Sequence, residues 1–91
     1  MADVKVQVGP ADLQVLINGL PHILVRRADL SAIEAWERRI GAVETFWEIA
    51  YTTKNGVVKC DYSSKELWQK ILMALSSAHI FDVMEGQPDD Y

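Results

Sequence analysis

Ninety-one residues with nine basic and thirteen acidic side chains, a net charge of −4 and one cysteine describe a single small domain. The lone Cys60 excludes an intramolecular disulfide, and the longest apolar run, Ile71 to Leu75, is too short to span a bilayer. Residues 1–8 carry neither a basic n-region nor an apolar h-region, so a cytoplasmic protein without a signal peptide is the expectation.

The charge is unevenly placed. Residues 1–81 hold nine acids and nine bases, whereas Asp82, Glu85, Asp89 and Asp90 supply the whole excess. Residues 1–81 therefore read as one α+β domain, and residues 82–91, with Gly86, Gln87 and Pro88 among the acids, as an acidic, disordered tail.

In chain order, Val4, Val6 and Val8 alternate with Lys5 and Gln7, a strand pattern that Gly9-Pro10 stops. Residues 11–20 admit two readings. Pro10, Asp12 and the spacing of Leu13, Leu16, Ile17 and Leu20 suit a short helix. β-Branched Val15 and Ile17 before Asn18-Gly19 favour a hairpin, because both central residues of a type I′ turn need positive φ. Residues 22–27 then form a strand and Ala28-Asp29-Leu30 a turn. Residues 31–40 are contested too. Ser31 with Glu34 suits a capping box, yet Ile33, Ala35 and Glu37 alternate with their neighbours, and a strand is favoured because the next hairpin needs partners.

That hairpin organises the chain. Two alternating runs, 45–53 and 57–62, flank Lys54-Asn55-Gly56. With Asn55 and Gly56 as the loop, Lys54 faces Val57, Tyr51 faces Cys60 and Ile49 faces Tyr62. Trp47, Ile49, Tyr51, Val58, Cys60 and Tyr62 then share an apolar face, opposite Glu48, Thr52, Lys54, Lys59 and Asp61. Ser63 and Glu66 read as a second capping box. The helix it opens carries Leu67, Trp68, Ile71, Leu72 and Leu75 on one stripe, packed on a sheet with Trp47 and Trp68 enclosed between them.

The expected fold is a strongly bent antiparallel sheet of five to six strands capped by one C-terminal amphipathic helix. This element order resembles the pleckstrin-homology-like superfold. With residues 11–20 helical instead, it is similar to Sm-like small barrels. Both resemblances rest on element order alone, and fold by itself does not give function.

Chemistry is sparse. Two histidines, His22 and His79, and one cysteine form no close pair that would ligate a metal, and neither a glycine-rich phosphate loop nor a nucleophile motif is present. Cys60 falls on an apolar face, where a thiol is ordinarily core. No catalytic residue, metal or cofactor is expected. Arg26-Arg27 and Arg38-Arg39 are the basic clusters, and on adjacent strands they would form an anion-binding patch for a phosphorylated or anionic ligand. Acids among them and a neutral body argue against nucleic acid. Trp36, Phe46 and Val57 fall on polar faces, and Val4 and Val6 lie on an edge strand. Together they mark a candidate interface. The functional expectation is a non-catalytic interaction or assembly domain that binds protein, foremost a second copy of itself.

Overall fold

The computed structural model describes residues 2–78 and the backbone of residues 83–85. The expectations about His79, and about a disordered tail at residues 82 and 86–91, lie outside the described residues.

The chain folds as α+β. β1 (Val4–Val8), β2 (Asp12–Ile17) and β3 (Leu20–Arg26) form one antiparallel sheet in the order β1-β2-β3. β4 (Leu30–Ile40), β5 (Glu44–Thr53), β6 (Gly56–Tyr62) and β7 (Val83–Glu85) form a second, in the order β6-β5-β4-β7, with α1 (Lys65–Ser77) between β6 and β7 in sequence. β7 runs parallel to β4, whereas the other neighbours are antiparallel. The single bent sheet expected from the sequence is thus two sheets, and they do not close into a barrel. The chain changes sheet at Arg27-Ala28-Asp29, where Asp29 N–H donates to the Arg26 carbonyl at 3.0 Å and the Asp29 carbonyl accepts from Lys54 N–H at 3.0 Å.

Residues 11–20 form the hairpin. Asn18 (φ 52°) and Gly19 (φ 79°) both take the left-handed conformation that a type I′ turn demands. Asn18 also ties down the start of the chain: its Oδ1 accepts from Asp3 N–H at 2.8 Å, and its own N–H donates to the Asp3 carbonyl at 2.7 Å. Residues 31–40 are strand, because pairing with β5 buries Ile33 and Ala35 opposite Tyr51 and Ile49. The helical signals at Ser31 and Glu34 are overridden by that burial.

Two irregularities re-aim side chains. Between β2 and β3, Val15 pairs with Ile23 and Leu16 with Pro21, which leaves His22 as an extra residue. Between β4 and β5, Leu30 pairs with Thr53 and Ala32 with Thr52, so Ser31 is the extra one, its hydroxyl donating to the Thr52 carbonyl at 3.2 Å. A bulge shifts the two-residue alternation by one. Leu30 and Ile33, three apart, therefore both reach the core.

The β5–β6 faces are those the alternation implies, but the register differs by two residues. Tyr51 pairs with Val58, Ile49 with Cys60 and Trp47 with Tyr62. The loop is Lys54-Asn55, and Gly56, not Asn55, carries the positive φ, at 129°. Thr53 closes the turn: its hydroxyl donates to the Gly56 carbonyl at 2.8 Å and accepts from Asn55 N–H at 3.2 Å. A slip of two keeps every side chain on its face, which is why patterning alone does not resolve it.

The helix starts one residue later than the capping box implies. Ser64 is the N-cap, its hydroxyl accepting from Leu67 N–H at 3.2 Å, so Glu66 sits in the first turn rather than at the reciprocal position. Ile71 and Leu75 are buried, with Leu67, Trp68 and Leu72 flanking them. α1 packs against β1, β5 and β6, and its stripe joins Leu13, Val15, Ile33, Ile49 and Tyr51 in one core shared by both sheets. Trp68 lies at the core margin, where its indole N–H donates to the Glu48 carbonyl at 3.1 Å. Trp47 is half-buried and stands outside that core, contrary to the expectation that both indoles are enclosed.

Candidate interaction surface

With α1 and β1–β3 on the inner side of the larger sheet, its other face is the outer one. The register builds this face row by row: Trp36, Glu48 and Asp61 lie side by side across β4, β5 and β6, flanked by Glu34, Ala50 and Lys59. Arg38 pairs with Phe46, and Thr52 with Val57, towards opposite ends.

The central row is a polar cluster with almost no exposure at its heart. Glu48 is 2% exposed. Its Oε2 accepts from the Trp36 indole N–H, and its Oε1 accepts from Arg38 Nη1 at 3.1 Å. Lys59 Nζ sits 5.7 Å from the centroid of the Trp36 ring, within reach of a cation–π attraction. Burial alone would raise the Glu48 pKa, but hydrogen bonds from Arg38 and Trp36 and the Arg38 charge hold it below the ordinary carboxylate value. Asp61 moves the other way, raised by burial, by its hydrogen bond to Glu48 and by that neighbour's charge. A proton taken up by this pair therefore resides on Asp61.

Trp36 is consequently not the free aromatic that its sequence neighbours suggest; it is clamped by Glu48 and buried to 9% exposure. Phe46 is half-buried and Val57 is exposed, both on the outer face. Val4 and Val6 turn inward and pack against the core, and α1 lies alongside β1, with Lys70 Nζ donating to the Ala2 carbonyl at 3.0 Å. The surface adds residues that patterning did not single out: Ile40 at the end of β4 and Val43 in the turn beyond it, 92% exposed. The Trp36–Glu48 contact was equally hidden, because two residues twelve apart become neighbours only once the β4–β5 register is known.

The arginines do not converge. Arg26 ends β3, and Arg27 follows it with Nη1 donating to the Gly9 carbonyl at 3.0 Å. Arg38 and Arg39 lie near the far end of β4, so at ~3.3 Å rise per residue the stretch from Leu30 to Arg38 alone separates the pairs by about 26 Å. One patch formed by all four is absent, and Arg38 is engaged by Glu48.

On the inner face, the bulged His22 reaches Tyr62: Nε2 and the phenolic oxygen are hydrogen-bonded at 2.7 Å, with ring centroids 5.7 Å apart. Burial raises the Cys60 thiol and the Tyr62 hydroxyl above their ordinary values. Tyr51 is raised by burial as well, and its hydroxyl is buried without a hydrogen-bond partner among the described residues. A thiol held protonated in this way is a core group rather than an activated nucleophile. Among the described residues no group of three or more His, Cys, Asp or Glu side chains is placed to hold a metal, and no helix is long and apolar enough to cross a membrane.

Compared with known proteins, the chain matches no family model, no curated protein and no solved structure.

Proposed function

We propose that this chain is a non-catalytic assembly domain that self-associates through the outer face of its larger sheet. One observation carries the reading: among the described residues no element covers that face, although it presents Ile40, Phe46 and Val57 around the Trp36–Glu48 seam. Exposed apolar side chains gathered on one sheet face suit a docking surface. A standard interface takes about 800 Å² from each partner, roughly an eighth of the 6077 Å² surface. A twofold pairing would set the same patch against itself. The fold fits this role as a pleckstrin-homology-like succession of strands and C-terminal helix opened into two sheets, and the single thiol suits a reducing, cytoplasmic setting.

Sedimentation equilibrium over a hundredfold range of concentration is the test. The expected result is a dimer whose dissociation constant rises at least tenfold in Val57→Asp and in Ile40→Asp, with unchanged circular dichroism. A strict monomer at the highest concentration removes the proposal.

A further inference from the structure

The centre of the outer face holds two carboxyl groups side by side. Glu48 and Asp61 are direct partners across β5 and β6, and directly paired residues project from the same face of a sheet. Glu48 is 2% exposed, and both of its oxygens already accept, Oε2 from the Trp36 indole and Oε1 from Arg38. Asp61 is exposed. Two carboxylates in contact repel, whereas a carboxyl beside a carboxylate donates a hydrogen bond to it. The charged groups facing Asp61 are Glu48 from β5, Arg38 from β4 and Lys59 from its own strand. The two bases oppose protonation, yet burial and Glu48 outweigh them and hold Asp61 above the ordinary carboxylate value. α1 and β1–β3 pack on the opposite face of the sheet and add no charge here.

The same face is unbalanced in charge. At its strand positions among the described residues, Glu34, Glu44, Glu48 and Asp61 stand against Arg38 and Lys59. A twofold pairing sets this acidic excess against itself. Taking an ionised Asp61 out of water in such a contact adds a desolvation cost that the neutral acid escapes. One proton on Asp61 lowers the excess and turns its contact with Glu48 from repulsion into a hydrogen bond.

We propose that Asp61 makes self-association proton-linked, each protomer taking up a proton there as the outer faces meet, so that the dimer tightens in mild acid and loosens at neutral pH. This rests on the self-association proposed above and adds what regulates it. The sign follows from linkage. Asp61 holds its proton more firmly in the contact than in the free protomer, so association strengthens as pH falls. It levels off once the free protomer is itself protonated.

Sedimentation equilibrium of the full chain at two pH values, with far-UV circular dichroism as a check that the fold is unchanged, tests the idea. Expected is a dissociation constant roughly tenfold lower at about pH 5 than at about pH 7.5. Asp61→Asn keeps the shape and the donor of the protonated acid, so it associates tightly at both values and its dissociation constant changes less than about twofold between them. Acidification also brings the net charge of −4 towards zero. Asp12→Asn, which removes the same charge from β2, is therefore the matched control and keeps the wild-type dependence. A dimer whose dissociation constant is indifferent to pH overturns the proposal and leaves the self-association reading standing. So does a pH dependence that survives in Asp61→Asn or disappears in Asp12→Asn. A strict monomer at both pH values removes both.

Discussion

The side chain that decides most on the larger sheet is Glu48. A carboxylate this enclosed is tolerated because Trp36 and Arg38 both donate to it. Removing it leaves the Trp36 indole N–H, on a side chain only 9% exposed, without its acceptor. Glu48→Ala is expected to cost about 2 kcal/mol in chemical denaturation at pH 7. The pH dependence follows from its depressed pKa: the contribution is fully present above the unfolded value near 4.5 and is lost as pH falls through the lower, folded one. The gap between wild type and Glu48→Ala should therefore narrow below about pH 4.5. Tyr51 is the opposite case. Its hydroxyl is buried and has no partner among the described residues, so Tyr51→Phe is expected to be neutral or to stabilise by up to about 1 kcal/mol, measured the same way. A loss above about 1 kcal/mol would mean that the hydroxyl has a partner after all.

At the scale of elements, legibility followed periodicity. Alternation in residues 4–8 and 45–62 sets which side chains face inward, and the helical stripe from Leu67 to Leu75 does the same, because both depend only on local geometry. Turn chemistry was readable at Asn18-Gly19 and misleading at Asn55-Gly56, where Thr53 closes a different loop. Extra residues such as His22 and Ser31 carry no sequence mark, so the division into two sheets was not legible either. β7 was hidden for another reason: three residues in an acidic stretch have a partner fifty positions upstream. Of the candidate surface, Val57 and Phe46 were readable from parity alone, whereas the burial of Trp36 needed the register that only the folded ladder supplies. The helix start gives a sharp comparison. Ser64→Ala is expected to lower stability by about 1 kcal/mol, because Leu67 N–H loses its acceptor, while Ser63→Ala changes little. Equal losses in the two variants would place the cap where the sequence pattern first suggested.

For the molecule as a whole, the consequential fact is that two sheets and one helix share one core. Ile71 is fully buried within it. Ile71→Ala is expected to cost about 3 kcal/mol and to shift one cooperative transition, with tryptophan fluorescence and far-UV circular dichroism moving together. Two separated transitions would show that β1–β3 fold independently of β4–β6. The described structure spans 44 × 32 × 18 Å, a flattened shape in which a larger share of side chains stays near the surface than in a sphere.

The returning strand β7 also gives the molecule an order in time. Every antiparallel pair joins strands adjacent in sequence, so those ladders assemble as the chain emerges from the ribosome. β4 must wait for β5, β6 and the whole of α1 to be synthesised before its second neighbour exists. During that interval the far edge of Ile33 to Ala35 is a template open to any passing strand, until β7 arrives to pair with it.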